Sequence, residues 1–175
     1  CMTMGDQWAY RPDDSYKSAQ QLIHTLVTIR AMGGNFLLNV GPKPDGTLPA
    51  PQVKLLKKLG SWMDVNAEAI HGVRPWETFG QGSSSEAATN GGSGGPAVRF
   101  TQSKDGSAIY AVALDWPGEE LTLRAMQVDE AAPDAEIKLL GREKPLDYRL
   151  SDRDVPVIDV PDLKPEQRPC KHAYI

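Results

Sequence analysis

Apolar residues recur at helical spacing through Ala19, Leu22, Ile23, Leu26 and Val27, with Arg30 closing the pattern before Gly33-Gly34. Asp13-Asp14-Ser15 lies just upstream and supplies N-cap chemistry, so the pattern predicts an amphipathic helix from there to the paired glycines. Past the glycines the chain reads Asn35-Phe36-Leu37-Leu38-Asn39-Val40-Gly41-Pro42 and then Asp45-Gly46. A short run that is apolar on both faces predicts an interior strand covered on both sides, ended by an exposed turn. After Pro49 and Pro51 a second helical stripe holds Val53, Leu55, Leu56, Leu59, Trp62 and Met63, with Lys54, Lys57 and Lys58 outward, and is expected to run to about Ala69. A strand flanked by helices is the unit of a parallel sheet or (β/α) barrel, which makes the first part α/β.

The period then changes. Residues 80–95 are rich in Gly and Ser and bury too little apolar surface to offset the entropy of ordering them, so a long mobile loop or linker is expected there. Beyond it, Val98 and Phe100, Ile109 to Leu114, Leu121 and Leu123, Ile137 to Leu140, and Val157 to Val160 alternate at a period near two. Turns such as Lys104-Asp105-Gly106 and Pro117-Gly118 separate them, the pattern of an antiparallel β-sandwich. The fold class read from the pattern is α/β followed by all-β, divided at 1–78 and 79–175.

Composition narrows the function classes. With 40% apolar and 24% charged residues in 175, the chain reads as an ordinary globular protein. Its net charge of -4 and the lack of an Arg/Lys-rich run disfavour nucleic acid as a partner. The longest apolar run, Phe36 to Val40, is far below the roughly 20 residues of a membrane-spanning helix, so no span is expected. Cys1 and Cys170 form neither a disulfide framework nor a CxxC metal motif, which leaves the compartment open. The start at Cys1-Met2-Thr3-Met4-Gly5 lacks an initiating Met and the regions of a signal peptide, and reads as an internal start.

Few residues offer chemistry. His24, His71 and His172 show no HxH or HxxxH spacing, so no metal site and no cofactor is expected. Asp6, Asp13, Asp14, Asp45, Glu68 and Asp115 are the carboxylates weighed for a glycosidase pair. Most have plainer roles: helix start for Asp13 and Asp14, turn for Asp45, helix end for Glu68. Gly33-Gly34 begins no phosphate loop, and Asn35 and Asn39 suit backbone hydrogen bonds at the strand ends. The large aromatics are Trp8, Tyr10, Trp62, Trp76 and Trp116. An aromatic face packs on the C–H surface of a sugar, and Trp8 is the favoured candidate because it follows a strand end near Met2 to Met4, the side on which barrels carry their sites. Trp62 reads as helix core and Trp116 as packing beside a turn.

Met4-Gly5-Asp6-Gln7-Trp8-Ala9-Tyr10, the Gly33-to-Pro42 run with Asp45-Gly46, Leu59-Gly60-Ser61-Trp62, and Asn66-Ala67-Glu68-Ala69-Ile70-His71-Gly72 occur in order. Together they resemble the C-terminal half of the α-L-fucosidases of glycoside hydrolase family 29. The stretch from Lys104 to Pro117 is similar to that family's C-terminal β-sandwich. The resemblance implies the last βα units of a (β/α)8-like barrel plus the sandwich, in a retaining exo-glycosidase with an aspartate nucleophile and a second carboxylic acid as acid/base. It places both carboxylates in segments N-terminal to this chain, so no catalytic residue is expected here and Trp8 alone is assigned substrate contact, near the fucose methyl group. Ala9, Ala67 and His71 depart from the more usual Gly, Gly and Tyr, changes that bear on loop shape.

By that resemblance the substrate is a fucosylated oligosaccharide or glycoconjugate and the compartment secreted, periplasmic or lysosomal. An isolated piece of barrel leaves strand edges unpaired, so association as a homo-oligomer or with a missing N-terminal segment is expected. The alternative from another class is a non-catalytic carbohydrate-binding or interaction module, for which the β-rich second half speaks.

Overall fold

A computed structural model describes residues 1–82, 95–126 and 135–175, so most of the expected Gly/Ser-rich loop, residues 83–94, lies outside the described residues. The first helix, α1, is Ala19–Ala31 and buries Ala19, Leu22, Ile23, Val27 and Ala31, the face the spacing indicated. Its start differs from the expected cap at Asp13-Asp14-Ser15. Ser18 is the cap, in a reciprocal box: Gln21 N donates to Ser18 Oγ at 3.1 Å and Ser18 N donates to Gln21 Oε1 at 2.8 Å. The upstream residues are occupied elsewhere: Asp14 Oδ1 accepts from Asp6 N at 3.1 Å, Tyr16 bridges to Gly5, and Lys17 N donates to Met4 O at 2.9 Å. These bonds keep the chain out of the helix until Ser18. The helix ends as expected, with Gly33 at φ +79 and Gly34 N donating to Ile29 O at 2.8 Å.

The second helix, α2, is Ala50–Asn66, with Pro51 in its first turn, and continues as a 3-10 turn over Ala67–Ala69, as far as the stripe reached. Before each helix stands a two-residue strand, β1 at Met2–Thr3 and β2 at Leu38–Asn39, paired in parallel with Met2 opposite Leu38 and Thr3 opposite Asn39. The parallel pairing agrees with the βα reading, but the expected interior strand over Phe36 to Val40 is shorter and Leu37 is 66% exposed. Among the described residues β2 has β1 as its single ladder partner, so pairing exists on one edge.

The second part is antiparallel. Strands β3 (Val73–Gln81), β4 (Val98–Ser103) and β5 (Ile109–Ala113) pair in the order β3-β4-β5. Strand β6 is Glu120–Thr122, β7 (Ile137–Lys138) and β8 (Pro145–Leu146) form a small ribbon, and β9 (Tyr148–Leu150) and β10 (Pro156–Asp159) follow; β6, β10 and β9 make a second sheet in that order. Strand β3 has no counterpart in the sequence reading and crosses residue 78. Pro75 lacks the N–H a central strand needs, and β3 lies on a sheet edge with its register broken between Pro75 and Gly80.

The two faces of β4 feed two cores. Val98 and Phe100 point to the second sheet and pack with Leu123 and Ile158. Ala97 joins Val112, Leu114 and Ala173 against Ile23 and Val27 of α1 and Trp62 of α2. Polar bonds reinforce this second core: Thr101 Oγ1 donates to Ala69 O at 3.2 Å, and the Arg30 guanidinium donates to Ile70 O and Val73 O at 3.2 and 2.9 Å. Trp62 Nε1 donates to Ala173 O at 3.0 Å, while Ala113 and Tyr174 exchange backbone bonds, so the C-terminal segment links α2 to β5. The α/β and all-β parts therefore share a core.

The β3 irregularity rests on glycine. A methyl on Gly80 would stand 2.5 Å from Val98 O and 2.9 Å from Arg99 Cδ, so the ladder must shift to take it. Gly80→Ala is expected to cost roughly 1–3 kcal/mol, read as a lowered urea midpoint at unchanged m-value. On the opposite rim, the Asp105 carboxyl is held down to about 2 by bonds from the Ser103 side chain first and then from the backbone and side chain of Ser107. A carboxyl lowered in the fold adds stability that is present above its ordinary value of 3.8 and is lost as pH falls toward about 2. An NMR titration of the side-chain carboxyls is expected to place the Asp105 midpoint near 2, and Ser107→Ala should raise it.

Candidate functional site

The C-terminal ends of β1 and β2 converge on one loop. From Thr3 the chain turns sharply, with Thr3 Oγ1 donating to Gln7 O at 3.0 Å, and the loop is tied at its base by Lys17 Nζ, which donates to Gly5 O at 2.8 Å. Across from it, the Asn39 side chain donates from Nδ2 to Trp8 O at 2.9 Å. Trp8 is thus held by its backbone while the residue stands 62% exposed. A large aromatic left in solvent on an anchored loop has a free face to offer, the geometry a sugar ring needs.

Beneath the loop the exit of β2 is packed hard against it. A methyl on Gly41 would lie 3.0 Å from Tyr10 N and 3.2 Å from Ala9 C. Gln52, 3% exposed on α2, fixes this crossing by accepting from Gly41 N on Oε1 at 3.1 Å. The sequence reading assigned Asn39 a backbone bond at a strand end and the structure supplies its partner, Trp8 O. Gln52 and Lys17 went unnoticed. A glutamine among the apolar positions of α2 was the available signal for Gln52; nothing in the sequence pairs Lys17 with Gly5. Asn39→Ala is expected to cost about 0.5–1.5 kcal/mol and to speed amide exchange over the loop around Trp8, measured by hydrogen exchange.

The other candidates are placed elsewhere. Asp13 is exposed beside Arg11 at 3.9 Å, Asp14 closes the loop onto Asp6 N, and Asp115 accepts from Gln20 Nε2 at 3.2 Å. Asp45 takes both bonds of Thr47, at 2.9 and 2.7 Å, and the side-chain and backbone bonds to Thr47 hold its carboxyl below the ordinary value. Asp6 and Glu68 are exposed, as is Asn35. No two of these carboxylates are joined in a site.

Two histidines far apart in sequence do meet: His24 Nε2 is 2.7 Å from His172 O. Burial first, and then Lys58, His24 and Lys171, lower the pKa of His172. Among the described residues no group of three or more His, Cys, Asp or Glu is placed to hold a metal ion. Trp62 is core as expected. Trp116 stacks edge-on with Tyr174 at 4.9 Å beneath Arg168, and Trp76 lies against Phe100 at 5.1 Å, so Trp8 stands apart from the other tryptophans in being open to solvent.

Comparison with known proteins gives the frame for this loop. Residues 1–68 match the sequence model of α-L-fucosidase and residues 93–175 that of the α-L-fucosidase C-terminal domain. Plasma α-L-fucosidase of Homo sapiens is 32% identical over 179 residues, which cover 99% of this chain and 36% of the relative. Tissue α-L-fucosidase of Rattus norvegicus is 30% identical, over 95% of this chain and 34% of that protein. Among solved structures, α-fucosidase of Thermotoga maritima in complex with fucose superposes with a TM-score of 0.79 at 26% identity, over 98% of this chain and 37% of that one. The chain spans little more than a third of the length of the relatives it matches. With both models matched in order along it, the chain belongs to the α-L-fucosidase family, of which it carries the C-terminal portion.

Proposed function

We propose that this chain is the closing part of an α-L-fucosidase, a retaining exo-glycosidase that releases terminal L-fucose from glycoconjugates, and that Trp8 is its contribution to the fucose site. Residues 1–78 then supply the last βα units of the catalytic (β/α)8-like barrel and residues 79–175 the C-terminal β-sandwich, with β3 as the strand that joins them. The observation that carries the reading is Trp8: exposed, anchored through Asn39, and at the C-terminal end of a parallel strand pair, the end on which barrel enzymes act.

The chemistry follows from what the chain lacks as well as from what it holds. A retaining glycosidase needs two carboxyl groups about 5–5.5 Å apart, one to form the covalent glycosyl intermediate and one to protonate the leaving oxygen and later activate water. Of the carboxylates considered, Asp14, Asp45 and Asp115 are engaged by loop closure, a turn and Gln20, and none is joined with another in a site, so the reading gives this polypeptide the role of positioning sugar rather than cleaving it. The indole packs against the apolar edge of the fucose ring, contributing orientation by dispersion and exclusion of water. The open edges of β1 and β2 are completed by further strands of the same barrel.

Two measurements test this. Hydrolysis of an aryl fucoside by the chain alone is expected to be absent, and turnover unaffected by Trp8→Ala would overturn the placement of the chemistry. L-Fucose binding is expected to weaken by severalfold to about tenfold in Trp8→Ala, the range of an aromatic contact. The module reading predicts that binding survives this substitution. A point variant is the sound comparison because removing residues 1–78 would strip Ile23, Val27 and Trp62 from a core the sheet needs.

A further inference from the structure

An open groove of about 1080 Å3 runs between the outer face of α2 and the C-terminal segment, away from the loop of Trp8. Lys43, Lys54, Lys57, Lys58, Lys171 and His172 line it, over a floor that includes Val53 and Trp62, and no carboxylate takes part. Five lysines thus gather in one concavity of a chain whose net charge is -4. Among the described residues none of the five forms an ion pair, whereas Arg11, Lys138 and Arg149 do. Asp45 lies near Lys43, but its carboxyl is engaged by Thr47. Lys54, Lys57 and Lys58 also stand at i, i+3 and i+4, where like charges disfavour a helix unless something opposes them.

We propose that this groove binds an anionic glycan segment, one bearing sulfate or carboxylate groups, at a surface separate from the loop of Trp8. Lysine ammonium groups are compact charges on flexible stems and suit anions scattered along a chain, whereas planar paired recognition calls for arginine, which the lining lacks. The surface is concave, and the exposed Trp8, Met32 and Leu37 that would enter a lipid layer lie outside it. No exposed aromatic lines it for base stacking, which disfavours single-stranded nucleic acid. The choice of a glycan over an acidic peptide rests on the fucosidase reading above.

The test is titration calorimetry of this chain with a sulfated heparin octasaccharide, a neutral octasaccharide and polyglutamate, at low and at raised salt. The sulfated sugar is expected to bind, to weaken with salt, and to lose about tenfold in affinity in Lys54→Glu/Lys57→Glu/Lys58→Glu, with Lys104→Glu as an unaffected control. Lys57→Gln/Lys58→Gln, milder for the helix, is expected to show a smaller loss in the same direction. Equal binding of the neutral sugar, tighter binding of polyglutamate, or unchanged affinity in both lysine variants would overturn the proposal. L-Fucose binding followed at Trp8 separates the two readings: its persistence when the sulfated sugar fails to bind sinks the groove alone, and its absence while the lysine variants behave as expected sinks the fucose site alone.

Discussion

Trp62→Ala is expected to lower stability by about 3–5 kcal/mol, the range for removing a buried large aromatic. Trp62 is 2% exposed and belongs to one core with Ile23 and Val27 of the first part and Val112 and Leu114 of the second. Its loss also removes the indole N–H bond to Ala173 O and leaves that oxygen the weaker Cys170 Sγ donor at 3.1 Å. Since one core serves both halves, unfolding of the variant followed by near-UV dichroism of the aromatics and by far-UV dichroism should give one coincident transition, shifted together. Two separated transitions would mean the halves melt independently and the shared core contributes little.

Phe100→Ala is expected to cost a similar amount, about 3–5 kcal/mol, through the other core. Phe100 is fully buried between the two sheets, with Val98, Leu123 and Ile158 around it and the Trp76 ring 5.1 Å away. The cavity left by the ring opens beneath Trp76, so tryptophan fluorescence is expected to shift red along with the lowered denaturation midpoint. Phe100→Leu, which keeps most of the volume, should recover more than half of the loss. Failure of that recovery would point to ring-specific contact with Trp76 rather than volume as the source.

Helices were the legible part of this chain. The face of α1 follows directly from spacing, because a stripe at period 3.6 has little choice about which side it buries, whereas in α2 only Trp62 of the expected stripe is buried, beside Gln52 and Asn66, and Leu56 is exposed. The start of α1 was not legible: Asp14 has the right chemistry for a cap, yet its carboxylate is drawn to Asp6 N by a loop closure eight residues long, which no local pattern encodes. Strand β3 was hidden by Pro75 and by a register break at Gly80, features that an edge strand tolerates and a sequence reading counts against it. The run around Leu38 was read as covered on both faces, since apolar residues alternate there without a polar side; in the structure Leu37 is exposed and β2 has one partner. At the site, Trp8 and Asn39 were both named from sequence, but the bond that couples them spans 31 positions and emerges only with the parallel pairing of β1 and β2.

The account turns on Trp8, and the direct measurement is an NMR titration of the isotope-labelled chain with L-fucose, following the side-chain N–H groups of its four tryptophans. The largest shift is expected at the Trp8 indole, with smaller ones at the Asn39 side-chain amide, and all of them lost in Trp8→Ala. Perturbation confined to the sheet residues around Trp76 and Trp116, with the Trp8 signal unmoved at saturating sugar, would contradict it.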